Sequence, residues 1–109
     1  MYPRRYFGER YSTKRTDEFV KWINNLNDIR AFAQITRRLT RIELGNLGDF
    51  KPVGDKVFEL RIDYGPGYRI YYTKRNNELI LLLIGGDKSS QKKDIEKAKS
   101  LAIEYGGHS

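Results

Sequence analysis

The chain has 109 residues, room for one domain (residues 1–109) and one core rather than two. Its 21 Lys and Arg against 14 Asp and Glu leave a net charge of +7, which attracts polyanions: nucleic acid, an acidic protein segment or an anionic surface. The absence of Cys excludes disulfides and thiolate chemistry, and a single His, His108 near the end of the chain, argues against a His-based zinc site or a His-activated nucleophile. No apolar run approaches the roughly 18 residues of a membrane span. Met1-Tyr2-Pro3-Arg4-Arg5 lacks the apolar stretch of a signal peptide, so a cytoplasmic protein is expected.

Tyr6 to Tyr11 reads as a short edge strand. Thr16 then offers a helix N-cap, followed by Asp17 and Glu18 where the helix dipole favours acids, and Phe19, Trp22, Ile23 and Leu26 fall on one face. Asn24, Asn25 and Asn27 break that helix and Asp28 caps a second, which carries Phe32, Ile35, Leu39 and Ile42 inward and Arg30, Arg37 and Arg41 on another side, with Arg38 nearby. Gly45 is a suitable stop, and so short a connection predicts a helical hairpin.

Gly48 to Asp55, with Pro52 and Gly54, reads as a loop. From Val57 the period changes to two: Phe58, Leu60, Ile62 and Tyr64 share one face, Glu59, Arg61 and Asp63 the other. Gly65-Pro66-Gly67 is a turn, after which Tyr68, Ile70 and Tyr72 alternate with Arg69, Tyr71 and Thr73. A turn centred on Pro66 would set Ile62 opposite Ile70, Leu60 opposite Tyr72, Arg61 opposite Tyr71 and Asp63 opposite Arg69. Asn76-Asn77 makes the next turn, and the apolar run Leu79 to Ile84 suits a central strand. After Gly85-Gly86-Asp87-Lys88, Ser89 or Ser90 caps a last helix with Ile95, Ala98, Leu101, Ala102 and Tyr105 inward. The expected fold is α+β: a small antiparallel sheet of about four strands with an N-terminal helical hairpin and a C-terminal helix, in the order β-α-α-β-β-β-α. One side of the sheet, bearing Arg61, Arg69 and Tyr71, would be partly open.

That polar face is the candidate site. Arg61 and Arg69 carry planar charged forks that match phosphate oxygens, Tyr71 can stack on a base or donate its hydroxyl, and Glu59 can accept a proton; Lys56 and Lys88 could complete the ring. This set suits cleavage of RNA without metal or other cofactor, because the ribose 2′-OH is the nucleophile and arginines supply position and charge. Proton transfer is the harder part and would fall to Glu59 or to a Lys whose pKa neighbouring arginines lower. Equally, alternating charges on an exposed strand face are commonly solvated cross-strand pairs, and the arginine stripe of the second helix a solvated helix face. Gly85 to Ser90 runs from strand to helix but lacks the spacing of a nucleotide-binding phosphate loop.

The run Phe58-Glu59-Leu60-Arg61-Ile62-Asp63-Tyr64-Gly65-Pro66-Gly67-Tyr68-Arg69-Ile70-Tyr71-Tyr72 resembles the "addiction module killer protein" branch of the RelE/ParE toxin superfamily, to which HigB-type toxins belong. So does Leu82-Leu83-Ile84-Gly85-Gly86-Asp87-Lys88-Ser89-Ser90-Gln91 with Asp94, Ile95 and Ala98. The resemblance implies the toxin of a type II toxin–antitoxin system, an mRNA endoribonuclease acting free or on the ribosome to inhibit translation, with a neighbouring antitoxin of helix-turn-helix type and no membrane partner. Carried onto this chain, it implies Arg61, Arg69 and Lys88 as the basic catalytic positions, while Glu59 stands where some relatives carry another Lys. The reading of the residues adds Glu59 and Tyr71 to the catalytic set and Lys56, Arg37, Arg38, Arg41 and Lys92 as RNA contacts. The C-terminal Tyr or His that such nucleases use near the last helix has no counterpart; Lys92 or Asp94 stands there. A gyrase-inhibiting toxin of the ParE kind and a non-catalytic basic binding module remain the alternatives.

Overall fold

The computed structural model describes residues 11–76 and 79–106. Helix α1, Asp17–Asn24, starts where a single side chain does two jobs: Thr16 Oγ1 accepts from Phe19 N at 2.9 Å and donates to the Leu83 carbonyl at 2.6 Å. The cap therefore also ties the helix to the sheet. Asp28 caps helix α2, Ile29–Glu43, through Arg30 N and Ala31 N. At its end Gly45, at φ 93°, donates to the Ile42 carbonyl while Asn46 donates to that of Arg41. These are the paired bonds of a Schellman motif, which a residue with a Cβ adopts only under strain.

The sheet has five strands and is mixed, in the order β1-β5-β4-β3-β2. Strand β1 is Ser12–Arg15, β2 Phe50–Gly54, β3 Val57–Ile62, β4 Tyr68–Arg75 and β5 Leu79–Asp87. A 3-10 turn, Lys88–Ser90, leads into helix α3, Gln91–Gly106. The expected four-stranded antiparallel sheet is corrected in two places. The stretch 48–55 is not all loop: β2 pairs antiparallel with β3, and Pro52 is accommodated because β2 lies on the sheet edge, with a bulge between Pro52 and Gly54. The first strand is Ser12–Arg15 and pairs in parallel with β5, Ser12 opposite Leu79 and Arg15 opposite Leu82. The expected strand over Tyr6 to Tyr11 falls, apart from Tyr11, outside the described residues.

The central hairpin differs in register. Leu60 pairs with Ile70, Arg61 with Arg69 and Glu59 with Tyr71, so the turn is centred on Gly65 rather than Pro66. It is closed by a bond from Gly67 N to the Tyr64 carbonyl. The slip is two residues, so each side chain keeps its face while its partner changes, and the expected pair of Asp63 with Arg69 does not form.

Two apolar clusters lie on the two faces. Leu60, Ile62, Ile70, Tyr72, Ile80 and Leu82 pack with Phe19, Ile23, Ile35, Leu39 and Ile42 of the N-terminal helices. Val57, Tyr71, Leu81 and Leu83 pack with Ala98 and Leu101 of α3. The side expected to be open is thus covered over much of its area by α3, and Tyr71 is fully buried. Phe32 and Tyr105, expected inward, are exposed; Ala31 takes the buried position on α2, and the Tyr105 hydroxyl pairs with Glu18. Arg75 donates to the carbonyls of Ala102 and Gly106, placing a cation at the negative end of α3. Among the described residues no helix is long and apolar enough to cross a membrane.

Gly85 and Gly86 let helices approach β5 from both sides: a Cβ on Gly85 would overlap the Trp22 ring, and one on Gly86 the Asp94 carboxylate. Gly85→Ala should accordingly lower stability by about 1–3 kcal/mol, the range for overpacking a tight contact. Urea denaturation checks this, and an unchanged midpoint would mean that Trp22 does not rest on β5.

Candidate functional site

The site forms where the covered face of the sheet emerges from beneath the first turn of α3. Two rows of residues cross the strands there. In one, Lys51 of β2 sits opposite Glu59 of β3, which sits opposite Tyr71 of β4. In the next, Arg61 is opposite Arg69, which is opposite Gly86 of β5. Because Gly86 has no side chain, Asp94 of α3 descends onto it, and the start of the helix closes over the cluster.

Glu59 is the centre. Its side chain has no solvent exposure, and both carboxylate oxygens are occupied. Oε1 accepts from Arg69 Nη1 at 3.2 Å, with Arg61 Nε 3.7 Å and Lys51 Nζ 3.9 Å away. Oε2 accepts from the Tyr71 hydroxyl at 3.0 Å and from Gln91 Nε2 at 2.9 Å. An ionised carboxylate out of water is tolerable only when donors replace its hydration. Here three cations and two neutral donors do so, and the group retains two positive charges in excess. The cations are graded in exposure: the Arg69 side chain is 11 % exposed, Arg61 46 % and Lys51 48 %. Arg69 is fixed inside the wall, while Arg61 and Lys51 face outward and can meet a ligand.

Protonation follows burial. Burial and then the adjacent Glu59 carboxylate push the Tyr71 hydroxyl far above the usual phenol range, so it is a fixed donor and not a base. Burial likewise raises the Asp94 carboxyl, partly offset by a bond from Ser90 Oγ at 2.5 Å. Asp87 moves the other way, lowered chiefly by the Ser89 hydroxyl.

Of the residues predicted from sequence, Glu59, Arg61, Arg69 and Tyr71 are brought together. Glu59 and Tyr71 are inside the wall rather than on an open face. Lys88 lies beside the β3–β4 turn, its Cβ 3.7 Å from where a Cβ on Gly67 would be. Lys92 is exposed on the first turn of α3, next to Gln91. Lys56 is at the far end of β3, where it lines a separate cavity with Lys14, Asp55, Thr73 and Lys99. Arg37 and Arg41 are exposed on α2, whose buried residues pack on the opposite face of the sheet. Arg38 is committed to the fold: Nη1 donates to the Arg61 carbonyl at 2.6 Å and Nη2 to that of Leu47 at 3.2 Å, and burial, then Arg41, lowers its pKa. Sequence reasoning missed Lys51 and Gln91. Lys51 alternates with Phe50 and Pro52 as a strand residue should, a signal masked by the proline.

The family model of the phage-derived Gp49-like proteins (DUF891) matches residues 21–104, which include the whole cluster. A protein of Haemophilus influenzae (strain Rd) described as uncharacterized is 52 % identical over 93 residues, which cover 85 % of this chain and 94 % of that protein.

Tyr71 and Tyr72 are neighbours with opposite hydroxyl environments, and their Phe variants should separate. Tyr71→Phe removes a bond to a buried carboxylate and should lower the unfolding free energy by roughly 1–3 kcal/mol. The Tyr72 hydroxyl is buried without a hydrogen-bond partner among the described residues, so Tyr72→Phe should cost less than about 0.5 kcal/mol or stabilise. Burial pushes the Tyr72 hydroxyl up to about 12, above the value of about 10 in an unfolded chain. The raised value means that its contribution is complete below pH ~10 and is lost as pH rises towards 12. Urea midpoints between pH 8 and 12 should therefore fall less steeply in Tyr72→Phe than in the natural sequence.

Proposed function

The chain belongs to the phage-derived Gp49-like family, and from that footing we infer that it is the toxin of a type II toxin–antitoxin pair, an mRNA endoribonuclease that inhibits translation. The resemblance of its hairpin and β5–α3 motifs to RelE- and HigB-type toxins supports the reading. The observation that carries it is the pairing of Arg61 with Arg69 beside Lys51, three cations gathered within 4 Å of one carboxylate oxygen and opening to solvent at one edge. A phosphodiester laid at that edge meets Arg61 and Lys51 directly. Charge that grows on its oxygens as the 2′-OH attacks is stabilised by groups already in place. Such a reaction needs no metal.

We assign proton transfer to Asp94, the carboxyl that rests on Gly86 at the start of α3 and whose proton affinity burial raises. Lys88, beside the β3–β4 turn, and Lys92, exposed on the first turn of α3, would attract the neighbouring phosphates. The antitoxin, of helix-turn-helix type, would present an acidic segment to the exposed arginines Arg30, Arg37 and Arg41 of α2. Two observations favour a second reading, a binding protein without chemistry such as a gyrase inhibitor: Tyr71 stays protonated and Glu59 has no access to solvent.

Purified protein in EDTA should cut mRNA, with or without ribosomes, and leave 2′,3′-cyclic phosphate ends. Arg61→Ala and Arg69→Ala should each reduce kcat/KM roughly 100-fold while the folded far-UV spectrum is kept. Inhibition of DNA supercoiling with no RNA cleavage would select the second reading.

A further inference from the structure

We propose that Glu59 is a positioning residue, a built-in counter-ion that holds Arg69 and sets the anion affinity of the Lys51–Arg61 edge, and does not take a proton from the substrate. The proposal rests on the endoribonuclease reading for its catalytic consequence, but its binding consequence stands alone. Three facts carry it. Glu59 is completely buried, so no substrate hydroxyl reaches it while the cluster is intact. Every bond it makes is one it accepts, from Arg69 on Oε1 and from Tyr71 and Gln91 on Oε2, with the Arg61 and Lys51 charges within 4 Å of Oε1. The partners come from three strands and a helix, β2 to β4 and α3, so one carboxylate fixes where each of them stands.

Two effects of the same carboxylate oppose each other. Its negative charge offsets one of the three cations and so weakens the attraction for any further anion. Its bond with Arg69 Nη1 at Oε1 holds that guanidinium against the carboxylate, with Arg69 Nε buried and without a hydrogen-bond partner among the described residues, while Arg61 Nε stands 3.7 Å from the same oxygen. Affinity is spent on geometry. A group with only a structural role would not change the two quantities in opposite directions.

Glu59→Gln removes the charge and keeps the shape; Glu59→Asp keeps the charge and shortens the reach. Titration with inorganic phosphate, followed by shifts of the arginine Nε–H resonances, should show Glu59→Gln binding about three- to tenfold more tightly than the natural protein and Glu59→Asp binding equally. Single-turnover cleavage of an oligoribonucleotide should be about tenfold slower in both, with the pH dependence of the remaining activity unchanged. If Glu59→Gln does not fold, Glu59→Asp decides the positioning role: slower cleavage with an unchanged pH dependence upholds it, and equal cleavage overturns it. Phosphate binding by Glu59→Gln that is unchanged or weaker overturns the counter-ion role. A loss above about 1,000-fold together with the acid limb of the pH profile overturns the positioning role and makes Glu59 the proton acceptor. If the natural protein cleaves no RNA but the phosphate affinities change as stated, the nuclease reading fails and the counter-ion assignment survives.

Discussion

A carboxylate sealed from water must be hydrated by the protein itself, and the candidate site follows from meeting that requirement at Glu59. Arg69, Tyr71 and Gln91 bond to it, and Arg61 and Lys51 stand within 4 Å. Those five residues come from four elements, three consecutive strands and the helix that follows β5, so the strand register and the placement of α3 are conditions for the site. The edge strand β2 matters because it delivers Lys51, and Gly86 because its missing side chain lets α3 descend far enough for Gln91 to reach Oε2.

The same packing separates the two uses of the basic charge. Arg38 and Arg75 are spent on backbone carbonyls, closing the end of β3 and the end of α3. Arg61 and Lys51 are half exposed and left with only a distant share of one carboxylate. A chain of net charge +7 thus does not offer its cations uniformly. Local geometry decides which remain available to a polyanion, and counting arginines cannot.

Much of the fold was legible where one residue type has one physical use. Thr16 and Asp28 before apolar-periodic runs, and Gly45 after one, marked the helix ends because capping is a local contract between a side chain and a few amides. The alternation in β3 and β4 gave the correct faces for Glu59, Arg61, Arg69 and Tyr71. What was not legible depends on neighbours. Ser12–Arg15 is a strand only because β5 offers it an edge, and its polar sequence shows no alternation to read. Pro52 hid β2, since a proline is tolerable there only on an edge strand. The two-residue slip of the hairpin preserves every face, so hydrophobic pattern could not detect it, yet it turns an expected Arg61–Tyr71 pair into the Arg61–Arg69 pair on which the site depends. Burial of Tyr71 under Ala98 and Leu101 was beyond a pattern that treats one strand at a time.

The most direct test is a double-mutant cycle on unfolding free energy with Glu59→Gln, Arg69→Met and the pair together. If the carboxylate and the guanidinium form one unit inside the protein, the two changes couple by roughly 1–3 kcal/mol, the pair costing less than the sum. Additivity to within about 0.5 kcal/mol would contradict the account, because it would mean that Glu59 is hydrated by something other than the residues gathered around it.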